Sequence, residues 1–487
     1  MDDLKARAVR GGFAKLCGQG TNFAARIAFV AIMARLLDPE DFGLVAMATV
    51  VTGVYGLFST AGLSSATVQQ ATVTDEQIST LFWINLAIGI LLALMSAASA
   101  PALVAFYHEP RLFWVTIAIG FGFVFNGAGV QHSALLEREL RFTALAVIEF
   151  LSQVGGIALA LCVALAGAGY WALVAAAIIS PAISTICAWL ATAWIPGTPL
   201  RGRAISPMLR FGGTITLNTL IVYVAYNLDK VLLGRFWGAD ALGIYARAYH
   251  LVSIPTSNLN AAVGGVAFSA LSRLQHDPVR LRNYFLKGYS LVVSLTVPTT
   301  IFCALFSDDI VRVVLGVKWL ESAVILRLLA PTVLILGMIN PLAWLLYSIG
   351  LQGRSLTIAA VIVPLVISAY FVGLPYGPKG VAIAYSAAMT FWVVPHIAWC
   401  LHGTAISLSS LFLAVSRPLL SGVLAAVVAF GVQMQFEGWD SPLVTLAIEG
   451  GIMLGVYYFF LLLVMGQRAF YLDLLGLLRE RSLPSIG

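Results

Sequence analysis

Six side chains in one stretch of the sequence could together hold a polar, anionic ligand. Thr216, Thr219, Tyr223, Tyr226, Asn227 and Lys230 recur at three- and four-residue spacing, which puts side chains on one face of a helix. The row supplies hydroxyls, phenols, an amide and an ammonium. Such groups attract anions and hydrogen-bond to oxygen-rich ligands; they imply binding, with no bond made or broken. A second row, Lys15, Gln19, Asn22 and Arg26, has the same spacing and also ends in a cation. Asp229 stands beside Lys230. Adjacent residues on a helix point about 100° apart, so the two are expected to pair with other helices, Asp229 with Arg247 or Arg26. Asp229, Lys230 and Arg26 each keep two readings, a structural ion pair or direct contact with the ligand.

These charges sit in apolar surroundings. Of 487 residues, 60% are hydrophobic and 10% charged, against about 25% charged in soluble domains. Apolar runs of about 20 residues, enough to cross a bilayer as helix, recur from end to end. They are continuous, without the alternation of membrane-spanning strands, and only a helix satisfies its own backbone in lipid. An ionisable group at mid-bilayer costs roughly 2.5–3.5 kcal/mol on insertion scales, so it faces a cavity or a partner. The five cysteines form no Cys-x-x-Cys pair and read as small buried hydrophobes. The net charge of +6 is explained by loop charges that orient the chain, without nucleic acid.

The expected fold is an all-α integral membrane protein of about fourteen helices. They fall near 12–36, 41–64, 79–106, 112–133, 142–166, 170–194, 208–234, 240–271, 284–307, 322–348, 355–374, 380–401, 408–433 and 443–466. The longest loops are expected at 194–210 and 271–287. With both termini cytoplasmic, seventeen Lys and Arg fall inside, six outside and five within spans, a clear inside bias. The charged start, MDDLKARAVRGGFAKL, gives no sign of a cleaved signal.

An internal repeat organises the helices. ARLLDPEDFGLVAMA (Ala34–Ala48) aligns without a gap to GRFWGADALGIYARA (Gly234–Ala248) at an offset of 200, matching Arg35 with Arg235, Gly43 with Gly243, Ala46 with Ala246 and Ala48 with Ala248. The repeat predicts a six-helix lobe at 1–195, a cytoplasmic linker at 196–210, a second six-helix lobe at 211–403, and two additional helices with a cytoplasmic tail at 404–487. Parallel repeats are common in secondary transporters, whose substrate site lies between the halves. The rows ending in Arg26 and Lys230 are therefore expected to line one interior cleft. A plainer account of the repeated corner is shared helix–turn–helix geometry, with Pro39 starting a helix and Asp38, or Asp240 in the second copy, capping it.

ARLLDPEDFGLVAMATVVTGVYGLFSTAGLSSATVQQ and YNLDKVLLGRFWGADALGIYARAYHL, with FSALSRLQHDPVRLRNYFLKGY (Phe268–Tyr289) and VLGVKW (Val314–Trp319), resemble the polysaccharide-transporter family of oligosaccharide flippases. The likeness is to the colanic-acid-exporter type and runs from about residue 5 to 400. The family lies in the superfamily that holds multidrug exporters and the lipid II flippase. The resemblance implies a two-lobed bundle that carries an undecaprenyl-diphosphate-linked oligosaccharide across the bacterial inner membrane by alternating access. It also admits a polysaccharide polymerase and other pathway proteins as partners. It transfers no catalytic motif and no cofactor.

That cargo suits the polar rows, since a diphosphate takes cations and planar guanidinium groups. Tyr223, Asn227 and Tyr249 offer partners to sugars; Arg247 and Arg327 add positive charge. Arg327 and Arg417 could equally snorkel to an interface. Glu149, one turn from Gln153, is a candidate for carrying a coupling proton if buried, or for bonding a neighbouring helix. Prolines 255, 298, 331, 341, 364 and 395 fall within expected spans and would kink them. A cation-coupled multidrug exporter is the alternative function; the excess of embedded cations over Asp229, Glu149 and Glu449 argues for anionic cargo. An enzyme is the third reading, but the sequence has no large extramembrane loop, Asp-x-Asp pair, phosphate loop or metal-ligand spacing.

Overall fold

Backbone placed in hydrocarbon must satisfy its own hydrogen bonds, and every regular element among the described residues is a helix. The computed structural model describes residues 27–59, 67, 73–199, 206–434, 441–468 and 471, with backbone alone at 206–219, 221, 222, 261, 262 and 266. Helices α1 (Ile27–Leu36) and α2 (Pro39–Ser59) are followed by α3 (Asp75–Tyr107), α4 (Leu112–Arg138), α5 (Phe142–Leu165) and α6 (Trp171–Thr192). Ser206–Arg273 is one helical run broken at Gly238, where φ is 83° and ψ −177°, a conformation essentially reserved for glycine. α7 is the part before that break and α8 the part after. Next come α9 (Pro278–Leu305), the short α10 (Ser307–Val314), α11 (Leu320–Leu329), α12 (Pro331–Ser348), α13 (Gln352–Gly373), α14 (Gly377–Leu401), α15 (Leu408–Gln433) and α16 (Pro442–Phe459), which runs into a π turn at Phe460–Val464.

Ten described stretches are long and apolar enough to span a bilayer, one of them, Gln352–Leu401, holding both α13 and α14. The charge-bearing run Ser206–Arg273 is not among them. Three expectations need correction. The span expected at 322–348 is two helices, because Pro331 starts α12 instead of kinking a longer helix. The loop expected at 271–287 shrinks to a turn: α8 ends at Arg273, and Asp277 caps α9 by accepting from the Arg280 N–H. Asp38 does not cap α2 with its side chain. The Asp41 carboxylate reaches back to the Asp38 N–H, and the Asp38 carboxylate takes Lys318 at 2.7 Å.

Packing divides the chain into two compact units. One runs through Ala246 and includes Val314–Lys318; the other holds Arg247–Val313 and the chain from Trp319 onward. In the first, α3 packs most extensively on α4, and α6 on α4 and α5. The α3–α4 crossing is close because both helices present glycine. A β-carbon at Gly89 would lie 2.4 Å from the Phe123 carbonyl oxygen, and one at Gly127 2.6 Å from that of Asn85. Small residues that let backbones meet are the usual means of helix association in lipid. At the α3–α4 turn, Arg111 hydrogen-bonds Glu109 and Glu40, and its hydrogen bond to Glu109 holds that carboxyl below its ordinary range.

The two copies of the repeated segment meet in this same unit. A β-carbon at Gly43 would sit 1.7 Å from the Ala239 carbonyl oxygen, and one at Gly243 1.9 Å from that of Pro39. Positions 39 and 239 correspond in the repeat, as do 43 and 243, so the contact is reciprocal.

In the second unit, α9 packs on α12 and α15, and α13 on α14. The latter pair closes through Gly373 and Gly380, whose β-carbons would each lie 2.4 Å from the other's carbonyl oxygen. Tyr457 donates to the Ser294 carbonyl at 3.0 Å, tying α16 to α9.

Gly127→Leu should lower the thermal midpoint of the detergent-purified protein, since forcing methylenes into a close crossing costs about 1–3 kcal/mol. The same change at Gly353, which faces open space, should leave the midpoint in place.

Candidate functional site

The row on α7 is held from both sides. Asn227 Nδ2 donates to the Tyr223 carbonyl at 2.9 Å, and Lys230 Nζ donates to Asn227 Oδ1 at 2.8 Å. The Tyr223 hydroxyl donates to the Val50 carbonyl of α2 at 3.1 Å. That approach needs Gly53, where a β-carbon would fall 2.0 Å from the Tyr223 oxygen. A glycine one turn along α2 thus makes room for a ring on α7, and the row is fixed before any ligand arrives.

Asp229 lies behind the row. It is 0% exposed and accepts from the Tyr245 hydroxyl at 2.8 Å and from the Lys230 N–H at 2.8 Å. Lys230 Nζ stands 4.0 Å from its Oδ1, with the lysine side chain 15% exposed. A buried carboxylate is tolerated only when hydrogen-bonded and compensated in charge, and here a phenol, an amide and an ammonium do both. The expectation that adjacent Asp229 and Lys230 make poor partners is corrected. The lysine chain is long enough to fold back toward Asn227, which brings its ammonium within reach of both.

The other expected site residues are distributed more widely. Arg26 and Asn22 lie outside the described residues, as do the side chains of Thr216 and Thr219. Arg247 and Tyr249 are half-buried on α8 in the second unit. Arg327 is on α11, where it binds the Asp308 carboxylate and donates to Ser307 Oγ at 3.1 Å. With its side chain 49% exposed, it serves as a tie between α10 and α11. Glu149 is exposed on α5. α5 turns this face away from its packing neighbours, so among the described residues the alternative reading, a bond to a neighbouring helix, has no partner.

Sequence reasoning missed two features. His132 is buried among Phe82, Trp189 and Trp194 and lies 2.7 Å from Thr192 Oγ1; no spacing rule joins residues that far apart in the chain. In the second unit a cavity of about 550 Å³ opens among α8, α9 and α16, mostly apolar but with Asn258, Thr299 and Tyr458 on its wall. Pro255 and Pro298 also line it. Among the described residues, no three His, Cys, Asp or Glu side chains gather to hold a metal ion. The chemistry on offer is hydrogen bonding and charge.

A family model described as "Polysaccharide biosynthesis protein" matches residues 32–324. The chain is 26% identical over 321 residues to the lipopolysaccharide biosynthesis protein WzxC of Escherichia coli (strain K12), covering 65% of this chain and 64% of that relative, short of two thirds of its length. It is 25% identical over 474 residues to the succinoglycan biosynthesis transport protein ExoT of Rhizobium meliloti (strain 1021), covering 97% and 95%. Among solved structures it is similar to the lipid II flippase MurJ in an inward closed conformation, with a TM-score of 0.75 and 14% identity over 95% of this chain and 99% of that one. At that identity the likeness establishes the fold alone, a multi-pass all-helical bundle, which agrees with the all-α membrane class expected from the sequence.

Tyr245→Phe should destabilise the protein by about 1–3 kcal/mol, because it strips a donor from a buried carboxylate. Thermal unfolding in micelles, followed by tryptophan fluorescence, reads this directly; Tyr376→Phe, at an exposed site, should read as wild type.

Proposed function

Because the chain belongs to the polysaccharide biosynthesis protein family, we propose that it flips lipid-linked oligosaccharide repeat units across a bacterial inner membrane. The cargo is an undecaprenyl-diphosphate-linked oligosaccharide, destined for exopolysaccharide, capsule or lipopolysaccharide. The work is transport, with no covalent step. Relatives named for lipopolysaccharide biosynthesis and succinoglycan transport support the cargo class, and the fold shared with a flippase supports the mode of action.

The observation that carries the reading is the α7 row. Tyr223, Asn227 and Lys230 form a connected chain of polar groups within apolar sequence, ending in an ammonium. An ammonium attracts the diphosphate, and the amide and phenol offer hydrogen bonds to sugar hydroxyls. Arg26 and Asn22, the matching row of the first repeat, are assigned to the same cargo; Arg247 and Tyr249 on α8 offer a charge and an aromatic face of their own. The repeats at 1–195 and 211–403 rock about the linker at 196–210 to give access to each side in turn. Both termini face the cytoplasm, in line with the lysine and arginine bias. The largely apolar cavity beside Asn258 suits an isoprenoid chain.

The multidrug-exporter reading draws on fold alone. Cationic drugs would need a carboxylate open to the passage, and Asp229 is fully buried against Tyr245.

Liposomes that hold a fluorescent lipid-diphosphate oligosaccharide in one leaflet provide the test. Lys230→Ala and Arg26→Ala should each slow flipping by at least roughly tenfold, the effect expected when a charge-assisted hydrogen bond worth about 1.5–3 kcal/mol is lost. Monodisperse elution and an unchanged helical spectrum would verify the fold. Wild-type flipping by both folded variants would reject the assignment of these rows to the passage.

A further inference from the structure

A second concentration of positive charge lies apart from the α7 row. α9 and α15 begin, and α16 ends, at one end of the second unit. By the lysine and arginine bias this is the cytoplasmic end. Between them is a cavity of about 380 Å³, within the roughly 300–1,000 Å³ typical of ligand sites.

Three cations line it: Arg282 and Lys287 from α9, and Arg417 from α15. Ser290 and Ser410 add hydroxyls. Ser290 also donates to the Ala414 carbonyl at 3.1 Å, fixing α9 against α15. The third wall comes from the turn after α16. Gly466 has φ of 68°, in the left-handed region that favours glycine, and the turn carries Gln467 to the cavity. Gln467 is 8% exposed, and its Oε1 is buried with no hydrogen-bond partner. A buried amide left short of a partner is costly, and a ligand in the cavity would supply one.

The three cations differ from basic residues nearby. Arg280 pairs with Asp277, and Arg354 donates to the carbonyls of Cys400 and His402. Among the described residues, Arg282, Lys287 and Arg417 have no acidic partner, and no acid lines the cavity. Like charges converging on one space repel each other unless an anion joins them.

The apolar part of the wall identifies the kind of anion. Leu286 and Leu413 share the cavity with the cations. Leu413 is 74% exposed, and Leu420 and Val427, at seven-residue steps along the same face of α15, are 54% and 67% exposed. A ligand with a phosphate head and a hydrocarbon tail meets both surfaces, whereas a free anion meets only one. We propose that this cavity binds the phosphate group of a membrane lipid, with the tail running along α15. The chemistry is shared by resident anionic phospholipids and by prenyl-phosphate carriers. The site is independent of the α7 row, and its occupancy does not rest on flipping.

The test is lipid retention by the full-length protein in zwitterionic nanodiscs, read by native mass spectrometry. Phosphatidylglycerol, undecaprenyl diphosphate and inorganic phosphate are titrated separately. Wild type should retain at least one of the two lipids, and whichever binds tighter identifies the source. The variant R282Q/K287Q/R417Q should bind that lipid far more weakly, by roughly fivefold per cation removed. R282K/K287R/R417K should recover binding, and R280Q should match wild type. All the changed cations are exposed, so a well-folded triple variant is expected; its thermal midpoint verifies this. If it does not fold, salt dependence of retention in wild type replaces it, and a salt-insensitive lipid would count against the site. Equal lipid binding by wild type and the triple Gln variant would overturn the proposal. So would retention of inorganic phosphate alone.

Discussion

Gly43 and Gly243 allow two backbones to approach until no side chain fits between them, and the architecture of the first unit depends on that approach. Each glycine faces a carbonyl belonging to the other copy of the repeat: Gly43 meets Ala239, and Gly243 meets Pro39. Two helix N-termini pressed together in this way cannot slide by a fraction of a turn, since any other residue in register would collide with backbone. The contact sets the start of α8 against α2, and with it the end of α7 and the row that α7 carries. Tyr223 then reaches the Val50 carbonyl over Gly53. Residues without side chains thus decide where the polar side chains stand.

Several charges are compensated by side chains from other helices. Within α7 the buried Asp229 is hydrogen-bonded and compensated, by Tyr245 and Lys230. Near helix ends Arg111 is paired with Glu40 of α2 and Arg327 with Asp308 of α10. The cations of the α9–α15 cavity differ in converging on one space with no acid among its described lining. A diphosphate on a lipid needs cations in two settings, at the membrane surface and along the path through it. The chain has a candidate for each.

Much of the fold was legible in the sequence because lipid imposes a simple code. Long apolar runs read as helices, and α3 to α6 and α13 to α16 lie close to where the runs predicted them. The α7 row was legible from its spacing alone. What the sequence hid was direction. Glu149 reads as embedded, yet α5 turns it outward. Arg327 reads as part of a span, yet Pro331 ends α11 early and leaves the arginine beside Asp308. Asp38 reads as a cap, but Lys318, 280 residues away, takes its carboxylate. Arg282, Lys287 and Arg417 read as unrelated loop or interface charges, and only the packing of α9 on α15 brings them together. For Asp38 and for the α9–α15 cations the deciding partner comes from a distant part of the chain, which no local pattern reports.

The corner that precedes α2 has its counterpart at the start of α8, since residue 38 of the first copy corresponds to residue 238 of the second. The first corner is secured by an exposed carboxylate bound to Lys318; the second turns through the backbone freedom of Gly238. Dissolved ions weaken an exposed electrostatic tie but leave the torsional preference of glycine untouched. Ionic strength therefore acts on the first elbow of the duplicated framework through a tie that the glycine turn of its twin does not use.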